Sequence, residues 1–191
     1  MKGAWWFLAG GMCGVVLMGI PRVIQHVHGS WHEHGGADLS GAARVHTDEK
    51  FAFTANAPVE QLAPLFGADK ERVWAPDWNP QFIHPLPAAD EEGMVFAVAH
   101  QHLKSMWINT EYDAKNGRFQ YVYWIPDAMV TKITIRLTPQ ENKTRVDVNY
   151  QRTALNSEAN AHVQHMAEGD RNAGPDWDKW MNGYLQKAGS K

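Results

Sequence analysis

Cysteine is nearly absent. Cys13 stands alone in 191 residues, which excludes an intramolecular disulfide framework and a thiolate-ligated zinc site. An excess of positive charge is absent too. Lys and Arg number 18 against 21 Asp and Glu, a formal net charge of −3, so nucleic acid is not an expected partner. Internal repeats and heptads are missing, which excludes solenoids and coiled coils. What the chain does have is apolar and aromatic mass. Hydrophobic residues make up 44% and tryptophans number nine, so the chain is not disordered, and its length suits one domain with something attached.

The attachment is Ala4 to Ile20, a run without a charge or strongly polar side chain, preceded by Lys2. As a helix it measures about 25 Å at ~1.5 Å per residue. A hydrocarbon core needs ~30 Å, so residues 4–24 together form the expected span, with Arg22 reaching outward. Trp5 and Trp6 suit the interface. Two readings stand for residues 1–25: an uncleaved transmembrane anchor and a cleaved signal sequence. Poor cleavage sites at Val27-His28-Gly29 and Gly41-Ala42-Ala43 favour the anchor. Under both, the globular part lies outside the cytoplasm, in the periplasm if the source is bacterial, because the positive flank stays inside. Gly10 and Gly14 form a G-x-x-x-G pair that lets two membrane helices approach closely. Another transmembrane helix or a membrane complex is therefore an expected partner.

Residues 26–46 carry His26, His28, His32, His34 and His46 among Gly, Ser and Ala. No hydrophobic period persists, so this is a linker. Its H-x-H pairs lack a carboxylate or thiolate cage, and no metal or other cofactor is assigned.

From residue 47 to 191 the pattern is that of a folded domain. Phe51 and Phe53 alternate with polar residues as a first strand. Val59 to Phe66 and Asp69 to Trp74 read as two short helices. Met94 to Leu103, Met106 to Tyr112, Arg118 to Ile125, Met129 to Leu137 and Thr144 to Arg152 read as strands. Turn signals between them predict antiparallel hairpins. Ser157 to Ala167 reads as a helix capped by Asn156 or Ser157. A last helix opens at Pro175, and its Trp177, Trp180, Met181, Tyr184 and Leu185 form one apolar stripe. The prediction is an α+β helix-grip fold: a curved antiparallel sheet of six to seven strands, two short helices after the first strand, and a C-terminal helix packed on the sheet.

The order of elements, with Trp74-Ala-Pro-Asp-Trp-Asn-Pro-Gln-Phe-Ile-His-Pro85, Gly93-Met-Val-Phe96 and Tyr150-Gln-Arg-Thr-Ala-Leu155, resembles the SRPBCC superfamily of START-like and polyketide-cyclase-like domains. The likeness covers about residues 50 to 188. It implies a deep cavity between sheet and final helix, used for lipids, polyketides and other apolar ligands, and supplies no catalytic set.

Alternation indicates which side chains face that cavity. Phe96, Val98, His100 and His102 share one face, and Phe119, Tyr121, Tyr123 and Ile125 another. Ile133, Ile135 and Leu137, with Val146, Val148 and Tyr150, read as plain core. The candidate ligand-binding set is Trp78, His84, Phe96, His100, Trp107, Tyr121 and Tyr123, closed by Trp177 and Trp180. The polar tips of His100, His102, Asn109, Tyr121 and Tyr123 each need a partner, which a solvated pocket would supply. His100 and His102 have no third metal ligand fixed by spacing, whether His84 or Glu111. No nucleophile–base arrangement is evident, so no catalytic residue is assigned. Asp77 reads as the brace of a turn.

Three functional expectations follow. The first is a membrane-tethered domain binding a hydrophobic small molecule, lipid-like, polyketide-like or quinone-like. The second is an accessory subunit of a membrane complex with a filled cavity. The third is a cyclase-like enzyme using cavity histidines and tyrosines. An open pocket of several hundred Å3 favours the first, and a plugged one the second.

Overall fold

The computed structural model describes residues 43–100 and 103–189. The anchor and most of the linker, Gly10 and Gly14 included, lie outside the described residues, as does His102. Among the described residues no helix is long and apolar enough to cross a membrane.

Seven strands form one antiparallel sheet in the order β1-β7-β6-β5-β4-β3-β2. They are β1 (His46–Ala55), β2 (Gln81–His84), β3 (Val95–His100), β4 (Leu103–Asp113), β5 (Arg118–Ile125), β6 (Met129–Gln140) and β7 (Lys143–Ala154). β1, first in sequence, pairs with β7, the last. The other neighbours are successive strands. Tight connections follow from local chemistry. After β4, the Asp113 carboxylate accepts the Asn116 N–H at 3.1 Å, and Gly117 follows at φ 62°. A Cβ on Gly117 would lie 2.7 Å from Leu137 Cβ, so a side chain there is excluded by space and by dihedral.

Between β1 and β2 run α1 (Val59–Leu62) and two 3-10 turns, Ala63–Leu65 and Lys70–Val73. The chain ends in α2 (Asn160–Arg171) and α3 (Gly174–Ala188). Both helices pack against β1, and α2 also meets β7. One apolar core fills the space between, including Leu62, Phe66, Phe96, Phe119, Ile135, Val148, Val163 and Met181.

Several boundaries differ from the sequence expectation. β2 was not expected as a strand; Gln81–His84 is too short to show a period and is held by pairing to β3. The expected strand through Leu103 ends at His100, and β4 starts at Leu103, earlier than Met106. α2 begins at Asn160, not Ser157. Asn156 Oδ1 instead accepts the Ala159 N–H at 2.9 Å, closing a turn before the helix, and the residue at the cap is Ala159. α2 also runs past Ala167 to Arg171. Tertiary partners hold that extra turn: Arg171 donates to Glu49, and Asp170 accepts from Arg152.

Candidate functional site

The strand register builds the site. Phe96 faces Trp107 across β3 and β4, and Trp107 faces Tyr123 across β4 and β5. The three rings stack in a row, with centroids 5.5 Å apart for the first pair and 4.1 Å for the second. The row continues through Thr131 on β6 to Arg152 on β7. A second row runs Tyr121, Ile133, Tyr150. Period-2 alternation puts all of these side chains on the concave face.

Between the rows and α3 lies a cavity of about 20 Å3, lined by Glu71, Trp78, Trp107, Tyr121, Ile133, Ile135, Tyr150 and Trp177. That volume holds a water or two. The sequence criterion of several hundred Å3 for an open pocket is not met.

Of the expected ligand-binding set, Trp78, Trp107, Tyr121 and Trp177 line this cavity. Phe96 and Tyr123 lie behind Trp107 in the stack. Trp180 is half-buried on α3 and packs against the core without lining the cavity. His84 is exposed near the end of edge strand β2 and does not join the set. The side chain of His100 lies outside the described residues. Glu111, a candidate third ligand in the sequence, is paired with Arg118 and Arg136.

Three of the five polar tips, on Asn109, Tyr121 and Tyr123, find protein partners where a pocket was expected to supply them, although Asn109 Oδ1 has none among the described residues. Asn109 Nδ2 donates to the Glu91 carbonyl at 3.2 Å. Tyr121 Oη donates to Glu71 Oε1 at 2.9 Å and accepts the Gly67 N–H at 3.0 Å. Tyr123 Oη accepts from Arg152 Nη1, which also donates to Thr131 Oγ1 at 3.0 Å. Arg152 is 1% exposed and paired with Asp170 through Nε at 2.5 Å and Nη2 at 2.7 Å.

Two buried ionisable residues at or beside the candidate site escaped sequence reasoning. Arg152 could have been found, because it continues the buried period of Val146, Val148 and Tyr150. Glu71 could not. It sits in a single 3-10 turn, where neither helix nor strand period applies, and is 4% exposed.

Burial in an apolar site disfavours the charged form of Glu71 and pushes its pKa up to about 8; hydrogen bonds from Tyr121 and Gly67 oppose this, and nearby Asp90 adds to it. The Tyr121 phenol is raised too, by burial and then by Glu71. At neutral pH Glu71 is therefore mainly a carboxylic acid, able to donate one hydrogen bond into the cavity as well as accept. Of the described groups lining the cavity, Glu71, Tyr121 and Tyr150 are ionisable; the expected histidines His100 and His102 have no described side chain. Among the described residues no cluster of His, Cys, Asp and Glu has metal-site geometry.

No family profile matches this chain, and neither does any curated protein. Solved structures do. A Rhizobium loti protein matches at 18% identity and a TM-score of 0.52, over 75% of this chain and 100% of its own. The protein Ara h 8.0201 matches at 11% identity and a TM-score of 0.54, over 75% of this chain and 99% of its own. Norcoclaurine synthase from Thalictrum flavum matches at 9% identity and a TM-score of 0.51, over 68% of this chain and 86% of its own. Likeness at these identities speaks to backbone architecture, and that architecture is the helix-grip α+β fold.

Proposed function

We propose that this chain is a small-molecule-binding domain, tethered to a membrane through residues 4–24 and placed outside the cytoplasm. Its ligand is apolar or amphipathic and binds between the sheet and α3. The observation that carries this reading is the cavity itself. Five aromatic side chains and one buried carboxyl converge there, where ring faces give contact area and polar tips give orientation. One structural neighbour is by name a synthase of a small organic molecule, norcoclaurine, which supports a ligand-handling use of this architecture. With room for a water or two, the cavity must widen around any larger ligand. The wall that moves in this reading is α3, which contributes Trp177 and packs chiefly on β1.

The small volume favours a second reading: an accessory subunit of a membrane complex, its cavity filled and its fold serving as a platform. Titration with N-phenyl-1-naphthylamine, a neutral apolar fluorophore, separates the two. Binding with energy transfer from tryptophan is expected in the native chain. Ile133→Phe, which fills the cavity, should weaken binding at least tenfold while unfolding stays cooperative. No binding to the native chain would leave the subunit reading in place.

A further inference from the structure

We propose, building on the binding role above, that the head group this cavity accepts is an organic cation: a small amine whose ammonium pairs with Glu71 among the rings of Trp78, Trp107 and Trp177. The lining holds one carboxyl and no basic side chain. Basic neighbours are committed elsewhere. Lys70 and Arg72, on the same turn as Glu71, pair with Asp69, and Arg152 pairs with Asp170. Glu71 Oε1 takes both hydrogen bonds the protein offers, from Tyr121 at 2.9 Å and from Gly67 at 3.4 Å; Oε2 receives none from the described residues.

Ionising a buried carboxyl without a counter-charge is costly, and an apolar ligand would leave that cost in place. An organic cation removes it. The ammonium supplies the missing opposite charge, and indole faces attract a cation through their quadrupoles, more so when water is excluded. Size points the same way. About 20 Å3 admits a head group of one or two heavy atoms and no ring.

The groups facing Glu71 set the pH behaviour: Tyr121 from β5, Tyr112 from β4, Tyr150 from β7 and Asp90 from the segment before β3. All are neutral or anionic, so none competes with a bound cation. An ammonium requires the ionised carboxylate, so binding below about pH 8 must release the Glu71 proton. Affinity should therefore rise from pH 6 to pH 8, by at least roughly tenfold, and fall again only as the amine itself deprotonates near ~10.

The test uses the full chain in lipid nanodiscs, with empty nanodiscs and matched salt as blanks. Tryptophan fluorescence is titrated with n-butylammonium chloride and with 1-butanol, equal in length and different in charge. The amine is expected to bind at least tenfold more tightly at pH 8, with the stated pH profile. Glu71→Gln is expected to bring the two probes within threefold of each other. Equal binding by the native chain, a flat profile, or a preference that survives Glu71→Gln would overturn the proposal. If 1-butanol binds as well as the amine, the cavity still binds small molecules and the cation assignment alone fails. If neither probe binds, both readings fail. Should the variant not fold, the native chain's amine-to-alcohol ratio and pH profile decide.

Discussion

Arg152, Asp170 and Glu71 are the three carboxyl or guanidinium side chains buried among the described residues; the first two pair with each other, and Glu71 is treated oppositely. Arg152 is fully provided for: two bonds to Asp170, one to Thr131 and one to Tyr123. Such a pair stabilises little relative to apolar residues of the same size, but removing one partner strands the other. Arg152→Met and Asp170→Leu should each destabilise by ~3–5 kcal/mol, and the double variant by clearly less than their sum, as read from urea unfolding in a double-mutant cycle. Additive losses would show that the two side chains are not coupled. Glu71 has no counter-charge among the described residues, and its folded pKa, about 8, lies above its unfolded value of 4.5. Between those values the folded state holds a proton that the unfolded state has lost, so stability falls as pH rises through that window. It is level below about 4.5 and again above about 8. The predicted result is a native chain a few kcal/mol less stable at pH 9 than at pH 4.5, compared with Glu71→Gln over the same range. Parallel pH profiles for the two proteins would refute it.

The elements divide by how much periodicity each can display. β5, β6 and β7 were legible because eight to twelve residues of alternation cannot be mistaken, and every expected inward position on them from Phe119 to Tyr123, Ile133 to Leu137 and Val146 to Tyr150 is buried. α3 was legible from its tryptophan-rich stripe, with Trp177 and Met181 buried. The segment from 58 to 73, which delivers Glu71, was read only as two short helices. It has no period long enough to say which side chains turn inward, and its conformation is set by distant partners. Asp90 accepts the N–H groups of Asp69 at 2.9 Å and Lys70 at 3.1 Å, fixing the start of the turn that carries Glu71. Gly67, at φ 116°, lets this happen. A Cβ there would lie 2.4 Å from Asp90 Cγ. Its N–H is the same one that meets Tyr121 and Glu71. Gly67→Ala combines a forbidden dihedral with a clash, so a loss of roughly 2–4 kcal/mol is expected in thermal or urea unfolding. The same variant should shift cavity tryptophan emission, because the Asp90 clamp and the Glu71–Tyr121 bond move together. A change below about 0.5 kcal/mol would show that the loop is free to adjust.

At the scale of the whole molecule, the register explains why one face of the sheet holds the chemistry and the other does not. Trp107, Tyr123, Thr131 and Arg152 form one inward row, while outward positions carry exposed or half-exposed ion pairs such as Arg118 with Glu111 and Arg145 with Asp147. A domain of this shape gains local concentration, not affinity, from a tether: held at a bilayer, it meets molecules that dissolve in or leave that bilayer. The proposed span over residues 4–24 is the part of the chain that would provide this, and the charge of Lys2 before it argues for a cytoplasmic N-terminus. The C-terminal helix α3 ends at Ala188, three residues before Lys191, so a reporter joined at Lys191 reads the side on which the domain lies. A reporter active only in the cytoplasm should be silent there, and one that requires an oxidising compartment should be active. Exchanging Lys2 for Glu while placing two lysines after Ile24 should reverse both signals, because orientation follows the basic residues flanking the span and not the folded domain. A cytoplasmic signal from the native chain would place the cavity on the other side of the membrane and reverse the proposed orientation.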